Sequence, residues 1–148
     1  MNLFLLSFEE RLRLWKEFRN SLAAMDDESK LNSVADFWAK APLVSIAYDS
    51  SDASKWPTPW EMLKHNEWCR SSVAIAMEST LRLGGFPEER MTLKLIIDRN
   101  IQEMLLVLII DDKWVLNYDW GYVRPYKKTH SVIKSWRFSG KSYSLLDG

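Results

Sequence analysis

Trp68-Cys69-Arg70-Ser71-Ser72-Val73-Ala74-Ile75-Ala76-Met77-Glu78-Ser79-Thr80-Leu81-Arg82-Leu83-Gly84-Gly85-Phe86-Pro87 is a helix bracketed by its own start and stop signals. Val73, Ala76, Met77, Thr80 and Leu81 fall on one face at helical spacing, and the Gly84-Gly85 pair ends the run as a left-handed cap does. Cys69 therefore stands at a helix N-terminus, where free N–H groups and the macrodipole favour the thiolate, the nucleophilic form of cysteine. That placement is permissive and no more, because free cysteine is also among the residues most often buried as a small apolar group.

Downstream the periodicity changes. Met91 to Ile97 and Met104 to Ile110 are dense aliphatic and β-branched runs, too short for helices and separated by the polar stretch Asp98 to Gln102, so they predict buried antiparallel strands. Asp111 and Asp112 predict a turn, Trp114 to Tyr118 a third strand, and Val132 to Phe138 a fourth after the Pro125 loop. Upstream, Ser7 and Glu10 form a capping-box pattern ahead of Phe8, Leu12, Trp15, Phe18 and Leu22, which predicts a helix from about 8 to 24. Asp26 and Asp27 start a second amphipathic stripe of Leu31, Val34, Phe37 and Trp38 that Pro42 ends, so residues 1–44 read as a helical hairpin. Ser45 to Trp56 is polar and small and predicts a loop, after which Thr58, Pro59 and Glu61 give a capping box opening a short helix to about Lys64. The fold class expected is α+β: the hairpin, and over 45–148 a core in which the helix opened by Cys69 packs on an antiparallel sheet of three to four strands.

Bulk properties narrow the function. The 148 residues match one domain of ordinary size, with no internal repeat or linker. Twenty basic and twenty acidic residues cancel, so no overall charge advertises a nucleic-acid or anionic-membrane partner. Eight tryptophans imply either a tightly built core or a sticky interface, and the count does not separate the two. A single cysteine excludes an internal disulfide. Met1 to Leu6 lacks the basic flank and length of a signal peptide, and Met104 to Ile110 is too short to span a bilayer, so the expected setting is a cytoplasm or a particle.

Trp56-Pro57-Thr58-Pro59-Trp60-Glu61-Met62-Leu63, then Cys69 with Ala74, Ile75, Ala76 and Leu81, then Gly84-Gly85-Phe86-Pro87, resembles the bacterial transglutaminase-like (papain-like) cysteine peptidases over roughly residues 45 to 120. In that family the nucleophilic cysteine begins a helix ending in a Leu-Gly-Phe-Pro type turn, a strand then carries a histidine, and the next strand ends Val-Leu-Asp. The resemblance implies that Cys69 occupies the nucleophile position and that Asn117, in Trp114-Val115-Leu116-Asn117, occupies the orienting position. It places Met104 at the histidine position, or Glu103 if the register slips by one, and neither side chain shuttles a proton as imidazole does. The family's Gly-Asp-Cys-Glu-Asp is replaced by Glu67-Trp68-Cys69-Arg70-Ser71.

Two other histidines offer a relocated base: His65, four residues before Cys69, and His130, in the basic loop after the third strand. A lone histidine is more often a surface or core polar residue. One cysteine and two histidines give no zinc spacing, and Asp98, Asp111, Asp112 and Asp119 lie where turns favour aspartate, so no metal site is expected. Gly84-Gly85 follows a helix where a phosphate cradle would precede one, and no cofactor is expected. Lys127, Lys128, Lys134, Arg137 and Lys141, interleaved with Tyr126, Trp136 and Tyr143, read as a solvated basic face before a nucleic-acid surface. Asp36-Phe37-Trp38-Ala39-Lys40-Ala41-Pro42, followed by the Trp-Pro and Pro-Trp-Glu segments, also resembles small proteins of tailed bacteriophages. Together the two resemblances imply a non-catalytic structural or interaction protein docking to other virion proteins or to a host protein. The rival reading is a cysteine hydrolase or acyltransferase in which Cys69 works with His65 or His130.

Overall fold

The computed structural model describes residues 2–44, 50–98, 103–127 and 131–146. Among these residues four α-helices come first, α1 (Phe8–Ser21), α2 (Asp27–Trp38), α3 (Pro59–His65) and α4 (Arg70–Leu83). Six strands follow, β1 (Met91–Asp98), β2 (Glu103–Ile110), β3 (Trp114–Leu116), β4 (Arg124–Pro125), β5 (Ser131–Ser139) and β6 (Ser142–Leu145). They form one antiparallel sheet in the order β4-β3-β2-β1-β5-β6. The sheet is thus wider than the three to four strands expected. β4 is two residues long and includes a proline, and β6 mixes serines with Tyr143 and Leu145, so neither shows a hydrophobic run; each exists by pairing onto the edge of a longer strand.

Local signals explain the helix boundaries. Ser7 Oγ accepts from the Glu10 N–H at 3.3 Å, but the Glu10 carboxylate turns to Arg13 at 2.5 Å, so only half of the predicted capping box forms. At α3 both halves form, with Thr58 Oγ1 accepting from the Glu61 N–H and the Glu61 carboxylate accepting from the Thr58 N–H. Arg11, buried on α1, donates to the carbonyls of Leu63 and Lys64 and so covers the C-terminal end of α3. Gly85, at φ +98, supplies the left-handed residue after α4. The loop predicted over 45–56 lies partly outside the described residues; within it, Asp52 caps a 3-10 turn at Ala53–Lys55. The turn predicted at Asp98 to Gln102 lies outside them beyond the strand end at Asp98.

α4 departs from its one-faced reading. Every residue from Ser72 to Leu81 is buried, because α1, α2 and α3 cover the helix on one side and β1 and β2 on the other. Its polar residues are consequently partnered: Thr80 Oγ1 accepts from the indoles of Trp15 at 3.0 Å and Trp38 at 3.1 Å, and donates to the Ala76 carbonyl. α1 and α2 meet at the stacked rings of Phe18 and Phe37, 4.2 Å apart. The tryptophans resolve toward core: Trp15, Trp38, Trp68 and Trp136 are fully buried, while Trp60 and Trp114 remain exposed. The sheet is apolar on both faces. Leu93, Leu95, Leu106 and Leu108 face the main core, and Ile96, Leu105, Val107, Ile109 and Val115 form a second layer packed by Tyr118 and Tyr126.

Candidate functional site

The chain approaches Cys69 along a fixed path. Asn66 turns through the left-handed region at φ 53, Trp68 is buried against Phe4 and Trp38, and the Val44 N–H donates to the Trp68 carbonyl at 2.7 Å. Cys69 is then the extended N-cap of α4, half-buried, its own N–H donating to Ser72 Oγ at 3.0 Å. This is the helix start that the sequence predicts. Arg70 occupies the first helical position, and its guanidinium reaches the Tyr118 carbonyl.

Asn117, following β3, comes back to the same place. Its backbone has φ +70, a conformation asparagine tolerates better than most residues, and its side chain is 1% exposed. Asn117 Nδ2 donates to the Arg70 carbonyl at 2.7 Å and to the Leu106 carbonyl at 2.9 Å, tying the first turn of α4 to β2. The Leu106 N–H in turn donates to Ser71 Oγ at 3.2 Å. Rotating the amide would put its oxygen against two carbonyl oxygens, so the hydrogen bonds fix its orientation. Asn117 Oδ1 and Arg70 Nε, both buried, have no partner among the described residues.

Met104 lies on β2 two residues before Leu106, hence on the face turned toward α4, and it is 60% exposed. Glu103 points to the opposite face and pairs across the strand with Asp98. Sequence position and topology therefore bring Cys69, Asn117 and Met104 to one end of α4. His65 does not join them: it is exposed on the last turn of α3 and makes no hydrogen bond with Cys69. His130 lies outside the described residues. Of the turn aspartates, Asp111 binds Arg90 at 2.6 Å and Asp119 binds Arg124 at 2.7 Å.

A second polar centre lies further along α4, and the sequence reading passed over it. Glu78, 2% exposed, accepts from the Tyr143 hydroxyl at 2.7 Å and from Arg82 at 3.1 Å, and Arg82 stacks on Phe138 with its guanidinium carbon 3.5 Å from the ring centroid. Burial, reinforced by the Glu78 carboxylate, pushes the Tyr143 phenol well above its ordinary value. A lone carboxylate inside Val73-Ala74-Ile75-Ala76-Met77-Glu78 was the available signal. The aromatic residues of the basic tail face inward here, with Trp136 packed edge-on to Trp56 at 4.8 Å.

A cysteine at the cap of a central helix, two antiparallel strands laid across that helix, and a residue after the next strand returning to the cap define a transglutaminase-like, papain-like core. Three solved structures of Legionella pneumophila LapG, a bacterial transglutaminase-like cysteine protease, share it. One LapG structure superposes with TM-score 0.76 at 15% identity, covering 93% of this chain and 79% of LapG. The calcium-bound form gives 0.72 at 14%, covering 95% and 88%, and the EGTA-treated form 0.76 at 16%, covering 93% and 77%. At these identities the likeness establishes the fold. No family model and no curated protein sequence matches the chain. The likenesses lend no support to the bacteriophage resemblance.

Proposed function

We infer that the chain is a non-catalytic transglutaminase-like domain that works by binding other proteins. What supports this reading is Met104, exposed on β2, at the position where the sequence resemblance implies a base: a thioether has no basic nitrogen and cannot take the thiol proton from Cys69. Asn117 supports it from the other side. In a working triad the orienting oxygen accepts from the base, whereas here the amide N–H groups clip α4 to β2 and Oδ1 meets no donor among the described residues.

One observation favours the rival hydrolase: Cys69 caps a helix of 14 residues, a position that promotes thiol reactivity. Iodoacetamide separates the readings. The expected result is that the native thiol is alkylated no faster than the same thiol in denaturant at the same pH, and that peptide, amide and ester substrates are turned over equally by wild type and Cys69→Ala. Rapid native alkylation together with turnover abolished by Cys69→Ala would establish the enzyme.

A further inference from the structure

Between β6 and the segment Trp56 to Trp60 runs a groove of about 490 Å³, within the size range of ligand sites. It is lined by Trp56, Trp60, Phe138 and Tyr143, with Pro57 and the buried Pro59 beside them. It lies along the middle and end of α4, at Ile75, Ser79 and Arg82, and not at the Cys69 end. We propose that this groove docks a proline-rich segment, flanked by acidic residues, of a partner protein; the proposal rests on the binding role inferred above and names the partner's chemistry.

Aromatic-lined grooves suit polyproline II because the peptide is already ordered and lays pyrrolidine rings against flat faces, so little entropy is lost on docking. The rings here are held in place before any ligand arrives. Trp60, 47% exposed, stands edge-on to buried Trp15 with centroids 5.3 Å apart. Trp56 is fixed by its indole donating to the Ser50 carbonyl at 3.0 Å and by Tyr143 at 5.1 Å. The Trp60 indole N–H meets no acceptor among the described residues, which leaves it for a carbonyl of a peptide that cannot satisfy its own. Charge selects the flank. Arg82 and Lys141 are the charged side chains among the described residues lining the groove, and no carboxylate is among them; Arg82 is already bound to Glu78, which leaves Lys141 as the exposed charge. Lys141 forms no ion pair among the described residues, so an acidic neighbour of the prolines gains a partner there.

The test uses the full chain and three synthetic peptides of equal length: oligoproline with glutamates at its ends, oligoproline with lysines, and a glycine-serine peptide with glutamates. Binding is read by tryptophan fluorescence and calorimetry. The glutamate-ended oligoproline should bind at least about tenfold more tightly than either control, and Trp60→Ala should remove most of that advantage. Trp60→Phe keeps a ring against Trp15 but has no N–H, and should weaken binding about threefold. Lys141→Glu, at an exposed position, should invert the preference between glutamate and lysine ends. Equal binding of the three peptides, binding of none, or full binding by a folded Trp60→Phe and Lys141→Glu pair overturns the proposal. Because the readout is independent of Cys69 chemistry, absence of binding beside an inert thiol defeats the groove alone, and turnover beside peptide binding defeats the non-catalytic reading alone.

Discussion

Asn117 is the clip that ties the first turn of α4 to β2. Its two amide hydrogens answer two backbone carbonyls, at 2.7 and 2.9 Å, in a place almost closed to solvent. Removing the donors leaves two buried acceptors short, so Asn117→Ala should destabilise the chain by roughly 2–4 kcal/mol in urea denaturation. Asn117→Asp should be worse near neutral pH, because an acceptor-only carboxylate would face two carbonyl oxygens. Its folded-state pKa would be raised by burial and by those oxygens. Stability from the protonated form is then present below the unfolded value of about 3.9 and lost as pH rises through the folded value, so this variant should weaken from acid toward neutral pH. An Asn117→Asp chain as stable as wild type at neutral pH would show that the amide is not a clip.

Among the elements, α4 determines how the helical layer sits on the sheet, and Thr80 is where it is held. One hydroxyl answers two tryptophans, Trp15 from α1 and Trp38 from α2, across separations of 65 and 42 residues. Thr80→Val keeps the shape and deletes the acceptor, leaving two buried indole N–H groups unpaired; a loss of about 2–5 kcal/mol is expected, with Thr80→Ser close to wild type. Calorimetric melting of the two variants checks this. The same helix marks the limit of what the sequence made legible. Start and stop signals are written in neighbouring residues, so Thr58 with Glu61, Gly84-Gly85 and the Cys69 cap could be read directly. Burial of α4 all round, the edge strands β4 and β6, and the Glu78–Tyr143 contact depend on partners brought from far along the chain, which no local spacing encodes. The divided role of Ser7 and Glu10 had a nearer cause: Arg13, three residues on, offers the carboxylate a charged partner in place of a backbone N–H.

At the scale of the molecule, the helical layer and the sheet are also tied by charge at the end of α4 opposite Cys69. Arg90, just before β1, binds Asp27 at the start of α2 at 2.8 Å and Asp111 in the β2–β3 turn at 2.6 Å, and its guanidinium lies over Phe86. Hydrogen bonding from Arg90, opposed by burial and aided by the charges of Arg90 and Lys113, holds the Asp111 carboxyl below its ordinary value. A depressed carboxylate contributes stability above its unfolded pKa, near 3.9, and that contribution disappears as pH falls through the folded value. The melting temperature should therefore decline on acidification through that window, and less steeply in Asp111→Asn. Asparagine is the appropriate probe because it tolerates the left-handed backbone of residue 111, at φ 53, so the comparison isolates charge from strain. Solvent reaches both partners, with Arg90 and Asp111 side chains 32% and 33% exposed, and the stabilisation should be no more than about 1 kcal/mol and shrink in high salt. An acid profile unchanged by Asp111→Asn would mean that the layers are held by the apolar core and the Thr80 hydrogen bonds, with the Arg90 bridge contributing no net stability.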